Sequence, residues 1–204
     1  ENRGEMSSRN LAFLSNYAIY SALVLLTIAF FSHAIEVAFS LKHDDEEVKM
    51  DFEKTDRWGR IGTAMMILAV AFNFAGIILR GASAHRVPWG NMYEFSITGA
   101  FAFGAAYLYA LLRYKVRWLG LPVSIAMLLT LGTAITVLYR PSAPLVPALK
   151  STWLAIHVSA AIISGGVFLL ANTVAATYLI LDRMESRGGR SAWAAKLPSL
   201  ESLD

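Results

Sequence analysis

The chain has 204 residues, of which 56% are hydrophobic and only 16% charged, and its mean hydropathy is +0.49. Soluble domains are about 45–50% apolar and about 25% charged, so composition excludes an ordinary water-soluble fold and points to a membrane protein. The net charge of +3 sits in short segments between apolar runs, which argues against nucleic-acid binding, and the absence of cysteine excludes disulfides, thiolate metal sites and thiol chemistry by this chain.

Five apolar runs predict five membrane-spanning helices, each close to the roughly 20 residues a bilayer requires. The first covers residues 11–39, with His33 and Glu36 near its end. No small-residue cleavage site follows it, so a removable signal peptide is not expected. Because the chain begins at Glu1 rather than Met, a longer parent protein is expected. Residues 41–60, "LKHDDEEVKMDFEKTDRWGR", read as a solvated loop with room for a short amphipathic helix. The second span is 61–79. A loop at 80–93, "RGASAHRVPWGNMY", is punctuated by Pro88 and Gly90. The third span is 94–112, with Asn91 as a candidate cap and Glu94 placed to favour the helix dipole. Residues 113–117, "RYKVR", form a basic turn before the fourth span at 118–139. A proline-rich stretch at 140–151 leads to the fifth span at 152–181, and 183–204 read as a cytoplasmic tail or linker to a further C-terminal part. The fold class is therefore all-α, a polytopic transmembrane bundle occupying residues 1–182.

Lys and Arg set the expected orientation. One set of connections carries Lys42, Lys49, Lys54, Arg57, Arg60, Arg113, Lys115, Arg117, Arg183, Arg187, Arg190 and Lys196. The other carries Arg3, Arg9, Arg80, Arg86, Arg140 and Lys150. The richer set is expected inside, so the N-terminus is outside and the C-terminus cytoplasmic. His85 and His157 then fall on the outer side, with His33 near the inner end of the first span.

Nucleotide-binding glycine motifs and HExxH are absent. The histidines are therefore the main candidates. His157 lies about one and a half turns into the fifth span, with Trp153 a turn before it and the small residues Ala160, Ala161, Ser164 and Gly165 after it. Neutral imidazole suits haem iron, and small residues admit a flat macrocycle or another helix. The alternative is an interfacial histidine bonded to a carbonyl or water. His85 and Trp89 sit in the outer loop, where Trp89 and Tyr93 also fit an interfacial aromatic belt. His33 and Glu36 share a helix face and are read either as a cation or proton site or as a pair held within the bundle. His43 belongs to a solvated acidic run with only weak cation-binding character. Met65 and Met66 are packing residues, and Asn73 is expected to bond a neighbouring helix.

The segments "HRVPWGNMYEF" at 85–95 and "PALKSTWLAIHVSAAIISGGVFLLA" at 147–171 together resemble the CcsA/ResC family of cytochrome c-type biogenesis proteins of system II, whose actinobacterial members are called CcsB. The matching residues are His85, Pro88, Asn91, Met92, Tyr93 and Glu94, then Pro147, Leu149, Ser151, Trp153, Leu154, His157 and Val158, with two spans between the segments. The resemblance implies that His157 is an axial ligand of a delivered haem b, with Trp153, His85 and Trp89 around it. It covers essentially the whole chain but the N-terminal two thirds of a typical member. The family's tryptophan-rich segment and second outer histidine are absent from this sequence.

The function this implies is a membrane subunit of a cytochrome c synthase (haem lyase) complex. With a ResB-like membrane partner it would export haem and present it to apocytochrome c, in the bacterial plasma membrane or, in a plastid, the thylakoid. The alternative is a non-haem structural or assembly subunit of a membrane respiratory complex. A small transporter finds no support in paired broken helices.

Overall fold

The computed structural model describes residues 2–41, 48–114, 116–141 and 151–186. His43, the acidic run, Pro147, Leu149 and the tail beyond residue 186 lie outside them. The described residues form five α-helices and no strand: α1 (Asn2–Leu41), α2 (Val48–Ala84), α3 (Met92–Arg113), α4 (Gly120–Thr136) and α5 (Thr152–Ser186), with a 3₁₀ turn at Arg117–Leu119 before α4. Each contains a stretch long and apolar enough to cross a membrane, within Met6–Phe39, Asp56–Ala84, Met92–Arg113, Arg117–Thr136 (which takes in the 3₁₀ turn) and Thr152–Ile180.

The spans are helical because, without water in a bilayer, every backbone N–H and C=O must be satisfied within the segment, and their side chains are apolar because hydrocarbon surrounds them. Packing then selects which face turns inward. α1 and α2 run along each other as a long hairpin, and α4 lies against α1 and α3. Their shared core is built from Ile19 and Leu26 of α1, Met66 of α2, Phe103 and Tyr107 of α3, and Met127 of α4. Phe74 and Phe101 stack at 4.9 Å, tying α2 to α3. α5 is different. It packs mainly on α3, and only 11% of its span is buried against 28–39% for the others.

The close approach of α5 to α3 rests on Gly166. A Cβ there would stand 2.7 Å from the backbone carbon of Ala102, so the two helices meet where a side chain is missing.

Three expectations change. Residues 48–60 are not loop but the first turns of α2, because Glu, Lys and Met favour helix and Asp56 pairs with Arg60 one turn on, at 3.3 Å. The fourth helix ends at Thr136, so Val137–Tyr139 leave it, with Val137 and Leu138 N–H groups both closing on the Thr133 carbonyl. Tyr139 is thereby freed to reach Asn16 and Tyr93. Asn73 is buried on α2, yet neither amide atom finds a partner among the described residues. The expected packing roles hold for Met66, in the core, and for Met65, against it.

Candidate functional site

The α2–α3 turn, the start of α1 and the chain after α4 meet at one end of the bundle, the turn end. It is organised around Glu94. Asn91 is the N-cap of α3, its side chain accepting the Glu94 N–H at 2.9 Å. This cap fixes the first turn of the helix and aims the Glu94 carboxylate back at the turn. There it accepts from Arg86 Nη1 at 2.7 Å, Arg86 Nη2 at 3.1 Å, Arg80 Nε at 3.3 Å and the Gly90 N–H at 2.8 Å. Arg80 and Glu94 are both fully buried. Two guanidinium groups thus share one carboxylate in a buried region, where a charge requires a partner. Arg80 also donates from Nη2 to the Arg140 carbonyl, and its guanidinium lies 5.0 Å from the centre of the Tyr93 ring and 5.9 Å from that of Tyr139. Its Nη1 is buried without a hydrogen-bond partner among the described residues.

The sequence motif "HRVPWGNMYEF" therefore folds as an Asn cap, a Glu clamp and a loop closed by Arg86. Sequence reasoning assigned Glu94 only to the helix dipole and missed its bonds to Arg80 and Arg86. The available signal was a pair of opposite charges, at the end of one apolar run and the start of the next, on the same side of the membrane.

His85 follows α2 in the left-handed region, with φ 51°. A non-glycine residue there needs support from its surroundings. Ser8 of α1 supplies it, hydrogen-bonding the exposed ring at Nε2 over 3.2 Å. Trp89 faces elsewhere. It lines an apolar groove of about 680 Å³ between α3 and α5, shared with Phe101, Tyr109, Ser159 and Ile162, and its indole N–H has no partner among the described residues.

His157 is exposed, and Trp153 beside it is 79% exposed. α5 turns Ile162 and Gly166 towards α3. His157, five residues before Ile162, lies about 140° around the helix from it, on the face that the described residues leave uncovered. Ser164 shares this exposure, and a Cβ at Gly165 would meet open space. The candidate residues are thus not gathered into one pocket. Trp153 and His157 share α5, His85 faces α1, and Trp89 faces the α3–α5 groove. A flat apolar ligand fits the open face of α5: an accessible imidazole, an indole one turn away and small side chains along the same side.

The opposite end holds a second ionic cluster. His33 Nδ1 is 3.1 Å from Glu36 Oε2, Glu36 Oε1 accepts from Arg117 Nε at 2.9 Å, and Arg117 Nη1 donates to Asp56 at 2.8 Å. This joins α1, α2 and the 3₁₀ turn. It bears out the reading of His33 and Glu36 as a pair within the bundle. Among the described residues no cluster of three or more histidine or acidic side chains is placed to hold a metal.

The model of the family described as "Cytochrome C assembly protein" matches residues 89–204. Similar proteins include the cytochrome c biogenesis protein CcsA of Chlorella vulgaris, 28% identical over 177 residues, covering 85% of this chain and 52% of that protein. The CcsA of a Picosynechococcus species is 32% identical over 136 residues, covering 64% and 39%, and that of Marchantia polymorpha 32% identical over 124 residues, covering 59% and 39%. In these comparisons the chain spans about half or less of its relatives' length. No solved structure matches it. The family match opens at Trp89, in the turn that delivers Glu94, runs through the helix that carries His157, and takes in more than half of the residues; the chain is a multi-pass membrane protein that belongs to the cytochrome C assembly protein family.

Proposed function

We propose that this chain is the haem-handling part of a system II cytochrome c synthase, and that it holds haem b at His157 on the outer face of the membrane. The observation that carries the reading is the exposed imidazole of His157 on the uncovered face of α5, beside Trp153, in a chain of this family. Family membership and the cytochrome c biogenesis relatives support the pathway; the open α5 face supports the ligand.

In this reading His157 would hold the haem iron through a ring nitrogen, and Trp153, one turn away, would pack beside the bound haem. Haem, when bound, brings the vinyl groups to which the thiols of apocytochrome c add. The chain's own contribution is to hold and orient. Arg80, Arg86 and Glu94 lock the turn between α2 and α3, and with it Trp89 against α5. His85 shapes the surface on the same side. Export of haem, a ResB-like partner and delivery to apocytochrome c in a plasma or thylakoid membrane complete the proposal.

The test is absorbance. Full-length protein purified from cells able to make haem is expected to show a Soret band, which His157→Ala diminishes and His43→Ala leaves intact. Equal haem content in the two variants removes His157 from the ligand role. Protein without haem in every form favours the structural-subunit alternative.

A further inference from the structure

Next to Arg80 lies a cavity of mixed polar and apolar lining that the proposed haem site does not use. The start of α1, the last turn of α2 and the chain just after α4 form this cavity of about 230 Å³, whose walls include Arg9, Phe13, Asn16, Ser83 and Tyr139. That is room for about seven molecules of liquid water. It opens where α1 enters its apolar span, Met6–Phe39.

Its chemistry follows from three groups. Arg9 is an exposed guanidinium on the wall, with no carboxylate among the described wall residues. Arg80 lies behind that wall: the Tyr139 ring stands against its guanidinium at 5.9 Å, and Ser83 donates to its carbonyl at 2.8 Å. Arg80 shares its carboxylate with Arg86, and its Nη1 has no partner among the described residues. Asn16 donates from Nδ2 to the Tyr139 hydroxyl at 3.0 Å, which ties α1 to the chain after α4. The cavity therefore presents positive charge for an anion. At a membrane boundary such charges are weakly screened.

We propose that this cavity binds a phosphate oxyanion at the membrane surface, with Arg9 as its ion-pair partner and Arg80 as the buried charge behind it. Two sources share this chemistry: the phosphodiester of an anionic glycerol-headgroup lipid, and free inorganic phosphate. The bilayer on that side delivers the first directly to the cavity mouth.

The experiment measures binding to the full-length protein in detergent. The probes are short-chain phosphatidylglycerol, phosphatidylcholine of matched chains and inorganic phosphate. Phosphatidylglycerol is expected to bind more tightly than phosphatidylcholine. Arg9→Gln, a surface change that leaves the fold intact by circular dichroism, is expected to weaken phosphatidylglycerol about tenfold or more, as a lost charged hydrogen bond does. Asn16→Asp, which sets a carboxylate on the wall, is expected to abolish binding with Arg9 still present. If inorganic phosphate binds and is lost in the same variants, the occupant is the free anion; if only phosphatidylglycerol does so, it is lipid. Equal affinity for the two lipids, or binding unchanged in both variants, overturns the proposal.

Discussion

His33 Nδ1 and Glu36 Oε2 lie 3.1 Å apart on successive turns of α1, and the imidazole is almost completely buried. The pair is held in a seat made by missing side chains. A Cβ on Gly120 would stand 2.5 Å from His33 Nε2, and one on Gly62 2.8 Å from it.

Gly120→Ala should therefore destabilise the bundle by about 1–3 kcal/mol, the range for overpacking a filled interior. Gly132→Ala on the same helix, where a Cβ meets nothing within 4 Å, is the control and should be neutral or slightly stabilising. Thermal unfolding in detergent compares them. Equal melting temperatures would show that the His33 seat yields without strain.

Glu94→Gln leaves Arg80 buried without its carboxylate. Removing one member of a buried ion pair costs about 3–5 kcal/mol, so this variant should lose stability heavily and loosen the α2–α3 turn. Protease susceptibility at residues 85–91 gives a second readout. A variant as stable as the parent would mean that Arg80 finds compensation elsewhere.

Arg117→Met should be milder. Arg117 is 38% exposed and Asp56 45% exposed, so their bond is screened by solvent and contributes little to stability. Glu36, only 15% exposed, loses more when Arg117 goes. A double-mutant cycle with Glu36→Gln should show the larger coupling, and one with Asp56→Asn the smaller. The reverse ranking would contradict the burial argument.

His157→Ala should change stability by no more than about 0.5 kcal/mol, because exposed positions without partners rarely matter to folding, while removing haem from the purified protein. Loss of both haem and fold would mean that the imidazole supports the helix rather than a ligand.

Much of the architecture could be read from hydropathy, since a run of about 20 apolar residues has few alternatives in a bilayer. Asn91 was legible as a cap because capping is local chemistry, set by residues three apart. Residues 48–60 were read as a solvated loop with room for a short helix, because charge marks solvent exposure and says little about helix; α2 instead begins at Val48 without a break, with Asp56 and Arg60 paired one turn apart. The bonds joining Arg80, Arg86 and Glu94 were invisible for a different reason. They cross from one helix to a turn and to another helix, and nothing in a linear pattern states which charges will meet. Asn73 shows the converse limit. A polar residue in an apolar run announces that a partner is needed, not where one stands.

The single seam between α3 and α5 bears on how the protein is put together. Helices in a bilayer form individually and then associate. α1 to α4 have polar clasps at both ends and a shared apolar interior to lock them. α5 docks mainly along α3, closest at the Gly166 notch, with Ile162 buried and Leu170 and Val174 packed against the core. Its position is thus the last to be settled and the easiest to lose, so a bulky residue at Gly166 should release the helix that bears His157 from an otherwise intact four-helix platform.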